Sequence, residues 1–143
     1  MSNCLFCGIA AGAVPSSIVH RDERVLAFMD INQPTRGHVL VVPLAHSVDI
    51  HDIPAADAMA VMEATRHVAG AVKRAVSADG IQLWQSNGRA AMQEIFHFHM
   101  HIFARFEDDD IKRLGMRAAA KFPPRPELDE LAALIRQHMP AAG

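Results

Sequence analysis

"HFHMHIF", His97–Phe103, sets an imidazole at every second position with an apolar side chain between each pair. A period of two marks extended backbone, in which successive side chains point to opposite faces. On a strand His97, His99 and His101 share one face, and Phe98, Met100 and Ile102 share the other. The apolar face packs on a core, so the histidine face is directed at a cleft or at solvent. Imidazoles two residues apart stand about 6.5–7 Å from one another at their Cα atoms. That is too far for most ring-to-ring hydrogen bonds, but it suits a row of groups serving one ligand.

Three uses of such a row compete. It decorates an exposed strand, or an i, i+2 pair chelates a metal, or one neutral imidazole is a nucleophile while another is a general acid. A phosphorus centre suits the third use, because imidazole nitrogen attacks phosphorus well and the bond formed then hydrolyses readily. An unperturbed pKa near 6.5 lets neighbouring rings hold different protonation states near neutrality.

Outward from this stretch, the 143 residues predict one domain, 1–143, with a core over 4–106 and a C-terminal loop and helix over 107–143. Hydrophobic residues make up 50% and charged residues 21%, the balance of an ordinary globular chain. A formal net charge of −2 gives no bulk electrostatic case for nucleic acid or an acidic membrane. No apolar run approaches the roughly 20 residues of a membrane span. The opening "MSNCLFCGIAAG" lacks the basic and sustained apolar segments of a secretion signal, so the expected location is the cytoplasm.

The pattern predicts a short helix over 4–11, strands over 17–22, 24–30, 38–43, 81–86 and 95–106, and helices over 54–77 and 127–139. Asp52 reads as the cap of the long helix, with Gly80 following its end, and "EDDD" at 107–110 reads as a surface loop. His67 reads as a solvated helix residue beside Glu63. The order implies α+β architecture: about five antiparallel strands, the long helix across one face, and a tail helix.

Cys4 and Cys7 form the only cysteine pair, spaced C-x-x-C. In a reducing compartment that spacing reads as metal ligands, a redox pair or two free thiols. Two thiolates need two further ligands for tetrahedral zinc, and His20, His38, His46, His51 and His97 are candidates.

The H-x-H-x-H run, preceded by "NGRAAMQEI" (87–95) and by "FMDINQPTRGHVLVVPLAH" (28–46), resembles the histidine-triad (HIT) family over roughly residues 4–106. The C-x-x-C and the tail helix resemble its zinc-binding bacterial branch. The resemblance implies a HIT-like fold, a homodimer and a nucleotide hydrolase or transferase. Such an enzyme attacks the α-phosphate of an adenosine (purine) nucleotide conjugate or dinucleoside polyphosphate through a covalent nucleotidyl-histidine. By motif position His99 is then the nucleophile, and His101 contacts the phosphate and helps protonate the leaving group. His97 orients the site or binds metal, and His38 supports the triad. Asp30 holds the ribose hydroxyls, Phe28 and Ile31 flank the base, and Ser86, Asn87 and Gln93 stand near the phosphate. One structural zinc per chain falls to Cys4, Cys7, His46 and His97.

Each residue alone has a plainer reading: Asp30 as a turn residue, Asn87-Gly88 as a turn dipeptide, His38 as a satisfied core histidine. Met92 stands where relatives usually carry glycine, and Ala104 where many carry proline. The rival functions are a nucleotide-binding regulatory module with little turnover, and a metal-dependent hydrolase using the triad as ligands. The long helix and strand 81–86, with Trp84 expected to be exposed, are the softer basis for a dimer patch.

Overall fold

The computed structural model describes residues 3–141. Strands β1 (Ile18–Arg21) and β2 (Val25–Met29) are joined by a turn that Asp22 closes. Its carboxylate accepts from the backbone N–H of Arg24 and Val25 at 2.8 and 2.9 Å. With β3 (His38–Pro43), β4 (Gly80–Trp84) and β5 (Met100–Arg105) they form an antiparallel sheet in the order β1-β2-β3-β5-β4. The helices are α1 (Leu5–Ala10), α2 (Ala55–Val76), α3 (Asp110–Leu114) and α4 (Arg125–Gln137). This is the expected α+β arrangement, with the long helix α2 against one sheet face. No helix among the described residues is long and apolar enough to cross a membrane.

Both faces of the central strands are covered, which is why β2 and β3 read as unbroken apolar runs and are buried throughout. On one face Val25, Ala27, Met29, Val39, Val41, Ile102 and Ala104 pack with Val61, Val68 and Val72 of α2 and Leu131 and Ile135 of α4. On the other, Leu26, Phe28, Leu40 and Val42 pack with Phe6 and Ile9 of α1. The pairing Leu40 to His101 and Trp84 to His101 sets that histidine at the sheet centre, on the α1 side.

Gly37, just before β3, has φ +119, and a Cβ there would lie 2.9 Å from Ala104 Cβ and 3.2 Å from Val72 Cγ1. Glycine is the residue that tolerates both the dihedral and the close approach. Gln33 shapes the preceding loop. Its amide donates to the carbonyls of Asp30 and His38, and its oxygen accepts from the N–H of Gly37 and His38, all at 2.7–3.0 Å.

Several local expectations are corrected. The strand expected over 95–106 begins only at Met100, because the Phe98 N–H leaves the sheet for the Ser47 carbonyl at 2.7 Å. Asp52 does not cap α2; its carboxylate accepts from Val48 N at 2.6 Å, and the helix starts after Pro54 with no side-chain cap. Ser77 in the left-handed conformation ends α2, and Gly80 opens β4. Asp109 is no surface-loop residue. It is buried, caps α3 by accepting from Lys112 N, and takes two bonds from Arg105 at 2.7 and 3.0 Å. Trp84 is half-buried with its indole N–H on Ser86 Oγ at 2.9 Å, while Leu83 is the exposed residue of that strand.

Candidate functional site

Although β5 starts late, the alternation of the opening stretch persists through it. Phe98 and Ile102 are buried in the core under α2, while the three imidazoles gather on the α1 side with Phe6. His99 donates through Nδ1 to the carbonyl of His97 at 2.7 Å. A carbonyl only accepts, so in the neutral ring the free lone pair is on Nε2.

A second chain of bonds fixes the neighbouring rings. His38 Nδ1 donates to the Asn32 carbonyl at 2.7 Å, so its Nε2 accepts from His101 Nδ1 at 2.9 Å. This leaves Nε2 of neutral His101 as an acceptor. Phe103 stacks on His38, ring centroids 4.0 Å apart, and lies parallel to His101 at 5.7 Å. Nothing in the sequence singled out Phe103, whose stacking on His38 exists only once β3 and β5 pair, or Gln33, whose bonds within the 30–38 loop carry no periodic signal.

Asp30 does two things at once. One oxygen accepts from Asn32 N at 2.8 Å, the plain turn role, and the other lies 3.6 Å from His38 Nε2. Burial pushes His38, His97 and His99 below the ordinary imidazole range, Asp30 partly opposing this at His38 and His99. His101 falls to about 3, through burial first and then the neighbouring His38 and His99. All four rings are therefore neutral near pH 7.

A cleft of about 630 Å³ opens beside these rings, lined by Phe28, Asp30, Ile31, His38, Ser86, Met92 and His101 among others. His99 is 9% exposed and is not part of that lining; it lies against His101, with ring centroids 4.8 Å apart, and the edge of Phe6 at 5.1 Å. Asn87 and Gln93 also lie outside the lining. Asn87 Oδ1 accepts from Ile50 N, and buried Gln93 braces the loop by accepting from Gly88 N and donating to the Val48 carbonyl, each bond at 2.7 Å. Met92, on the rim, holds a left-handed conformation at φ 68.

Behind the triad, Cys4, Cys7, His46 and His97 bring one ligand atom each within 4.8 Å of the others. His97 Nε2 donates to the Pro43 carbonyl at 2.8 Å, which turns its Nδ1 lone pair toward Cys4 Sγ at 3.4 Å and Cys7 Sγ at 3.6 Å. His46 Nδ1 lies 3.4 Å from Cys7 Sγ. A tetrahedral zinc with bonds of about 2.3 Å to sulfur and about 2.0–2.1 Å to nitrogen sets sulfur and nitrogen about 3.5 Å apart. The three sulfur-to-nitrogen separations, 3.4, 3.6 and 3.4 Å, fit that figure. His20 and His51 are elsewhere: His20 pairs with Asp22 and His51 is exposed.

The HIT domain matches residues 11–108. The chain belongs to the HIT domain family. Protein hit of Bacillus subtilis is 40% identical over 108 residues, 76% of this chain and 74% of that protein. Adenylylsulfatase HINT3 of Arabidopsis thaliana is 28% identical over 96% of this chain and 70% of that one. A zinc-bound histidine triad family protein of Mycobacterium smegmatis is 31% identical in its crystal structure, which covers 96% of this chain and 93% of that one at a TM-score of 0.82. HIT proteins are generally nucleotide hydrolases and transferases that bind nucleotides, and the family includes hydrolases such as HINT3.

Proposed function

We propose that the protein hydrolyses purine nucleotide conjugates at the α-phosphate through a covalent nucleotidyl-His99. The observation that carries this reading is the bond from His99 Nδ1 to the His97 carbonyl at 2.7 Å, which commits one nitrogen and leaves Nε2 for phosphorus. In the first half-reaction the Nε2 lone pair forms a bond to the α-phosphorus. The bond from phosphorus to the leaving group, an amine nitrogen or a phosphate oxygen, breaks with its electron pair. The leaving group departs with a proton passed through His101 Nε2. Burial and the neighbouring His38 and His99 hold that ring neutral near pH 7, and a phosphate anion beside it would favour the protonated form. The adduct places positive charge on the His99 ring, which the His97 carbonyl stabilises. Water then attacks phosphorus and passes a proton to the now neutral His101 Nε2, the bond to His99 Nε2 breaks, and a nucleoside monophosphate leaves with neutral His99 restored.

In this reading His38 holds the His101 tautomer, Asp30 accepts from the ribose hydroxyls, and Phe28 and Ile31 flank the base. Ser86 lies toward the phosphate, and Asn87 and Gln93 shape the loop there. Zinc on Cys4, Cys7, His46 and His97 supplies structural cross-linking when bound: all four tetrahedral positions come from protein, so no water is activated. The same protein forms a homodimer through α2 and β4, on which Met59, Met62 and Leu83 are 68, 50 and 45% exposed.

A second reading, a nucleotide-binding regulatory module, draws on one observation: the low exposure of His99 and its position outside the cleft lining. Turnover of an adenosine phosphoramidate and a diadenosine polyphosphate, compared between wild type and His99→Ala, separates them. The hydrolase reading expects a loss of about 10³-fold or more in kcat with nucleotide binding kept. Equal, negligible rates with intact binding favour the module.

A further inference from the structure

The cleft is not built by the HIT domain alone. Beyond residue 108, where the family match ends, Met116, Arg117, Ala120, Phe122 and Arg125 complete its wall. This segment is pinned against the loop that follows Asp30 and Ile31. The Lys121 carbonyl accepts from Gln33 N at 2.7 Å, Lys121 N donates to Asn32 Oδ1 at 3.0 Å, and its ammonium reaches Asp110 at 2.5 Å. Ala119 is buried beneath it. The strap therefore lies beside the loop that follows Asp30, and Phe6, Ile9, Val14, Phe28 and Leu40 are among the apolar residues that line the same cleft.

Among the strap's cations Arg117 stands out. Lys121 pairs with Asp110, and Arg125 donates to Ser17 Oγ at 2.9 Å, with Ser17 in turn donating to Asp129. Arg117 lines the cleft, and its guanidinium has no hydrogen-bond or ion-pair partner among the described residues. A guanidinium only donates, in a fixed fork that matches two adjacent acceptors. A flat ring between apolar walls presents its edge to such a fork. Guanine offers O6 and N7 there, two acceptors; adenine offers N7 and an N6 amino donor that would meet the Arg117 donors head-on.

We propose that the strap over residues 115–125 is a base-reading element that selects guanine over adenine through Arg117. The inference rests on the proposal that the cleft takes a purine nucleoside. Calorimetric titration of wild type with GMP and with AMP tests it, alongside Arg117→Met and, as a control, Arg36→Met, whose side chain lies in the neighbouring groove. Wild type binds GMP about tenfold or more tighter than AMP, Arg117→Met brings the two within about twofold by weakening GMP, and Arg36→Met keeps the wild-type ratio. Equal affinities in wild type, tighter AMP, or an Arg117→Met ratio like wild type overturns the strap's role and leaves the hydrolase reading standing. Binding of neither nucleotide overturns both.

Discussion

His97 donates to the Pro43 carbonyl from one ring nitrogen and turns the other toward Cys4 and Cys7. The first triad histidine thus faces away from the cleft, and its backbone carbonyl, not its ring, serves the triad by orienting His99. In the proposed reading, zinc binding and catalysis would both depend on this residue while using different atoms of it.

From this geometry, wild-type protein prepared in zinc-replete medium carries about one zinc per chain, and Cys7→Ser carries well under half of that. Burial raises the Cys7 thiol, so without a cation it is protonated near neutrality, and zinc binding releases that proton. Elemental analysis gives the stoichiometry. Chelation lowers the melting temperature by about 10 °C or more, and a melt unchanged by chelator would contradict a structural metal.

Stability falls with acid in a defined window. His101 is held at about 3 in the folded state, against about 6.5 unfolded. The unfolded chain therefore binds the extra proton first, and this contribution is complete above about pH 6.5 and drains away as pH falls toward the folded value. His101→Gln removes close to one proton from the uptake on unfolding between about pH 6 and 4. Denaturant melts across that range measure it, and an unchanged slope would place the His101 ring in a wetter setting.

Gly37→Ala destabilises by about 2–4 kcal/mol, since it joins a positive φ to a close approach. Ala104 supplies the 2.9 Å contact, so Ala104→Gly in the same chain recovers part of the loss and leaves the dihedral strain. Chemical denaturation of both single variants and the double variant checks the coupling.

Met92 holds a left-handed backbone with its side chain 63% exposed. Met92→Gly relieves strain without opening a core cavity and raises stability by about 0.5–1 kcal/mol. Met92 also lines the cleft; if the proposed reaction brings the departing group against it, kcat/KM changes unequally between a small amine and a nucleotide leaving group. Parallel kinetics on the two substrate types would expose the difference, and identical changes would assign Met92 no part in that choice.

Strand periodicity made the fold's centre legible, because a period of two fixes faces wherever one face is buried. The alternation His97–Phe98–His99 survives even where the ladder does not, since Phe98 keeps its place in the core while its N–H turns to Ser47. Gln33 and Asp109 bond close in sequence, to the 30–38 loop backbone and to Arg105, but no periodic pattern marks such loop and cap bonds; Phe103 meets the His38 ring only once β3 and β5 pair. The strap was equally hidden: a proline-rich surface run carries no periodic signal that it will dock beside Asn32. Cys4, Cys7, His46 and His97, scattered over the sequence, are gathered by α1 and the ends of β3 and β5, a convergence that spacing alone left open among five histidines.

The most direct test is intact mass spectrometry of protein acid- and base-quenched within milliseconds of mixing with a purine nucleoside phosphoramidate, followed by peptide mapping. The account predicts one nucleoside monophosphate per chain, stable in base, labile in acid and located on His99. Rapid turnover with no adduct at any quench time, or an adduct on His97 or His101, would contradict it.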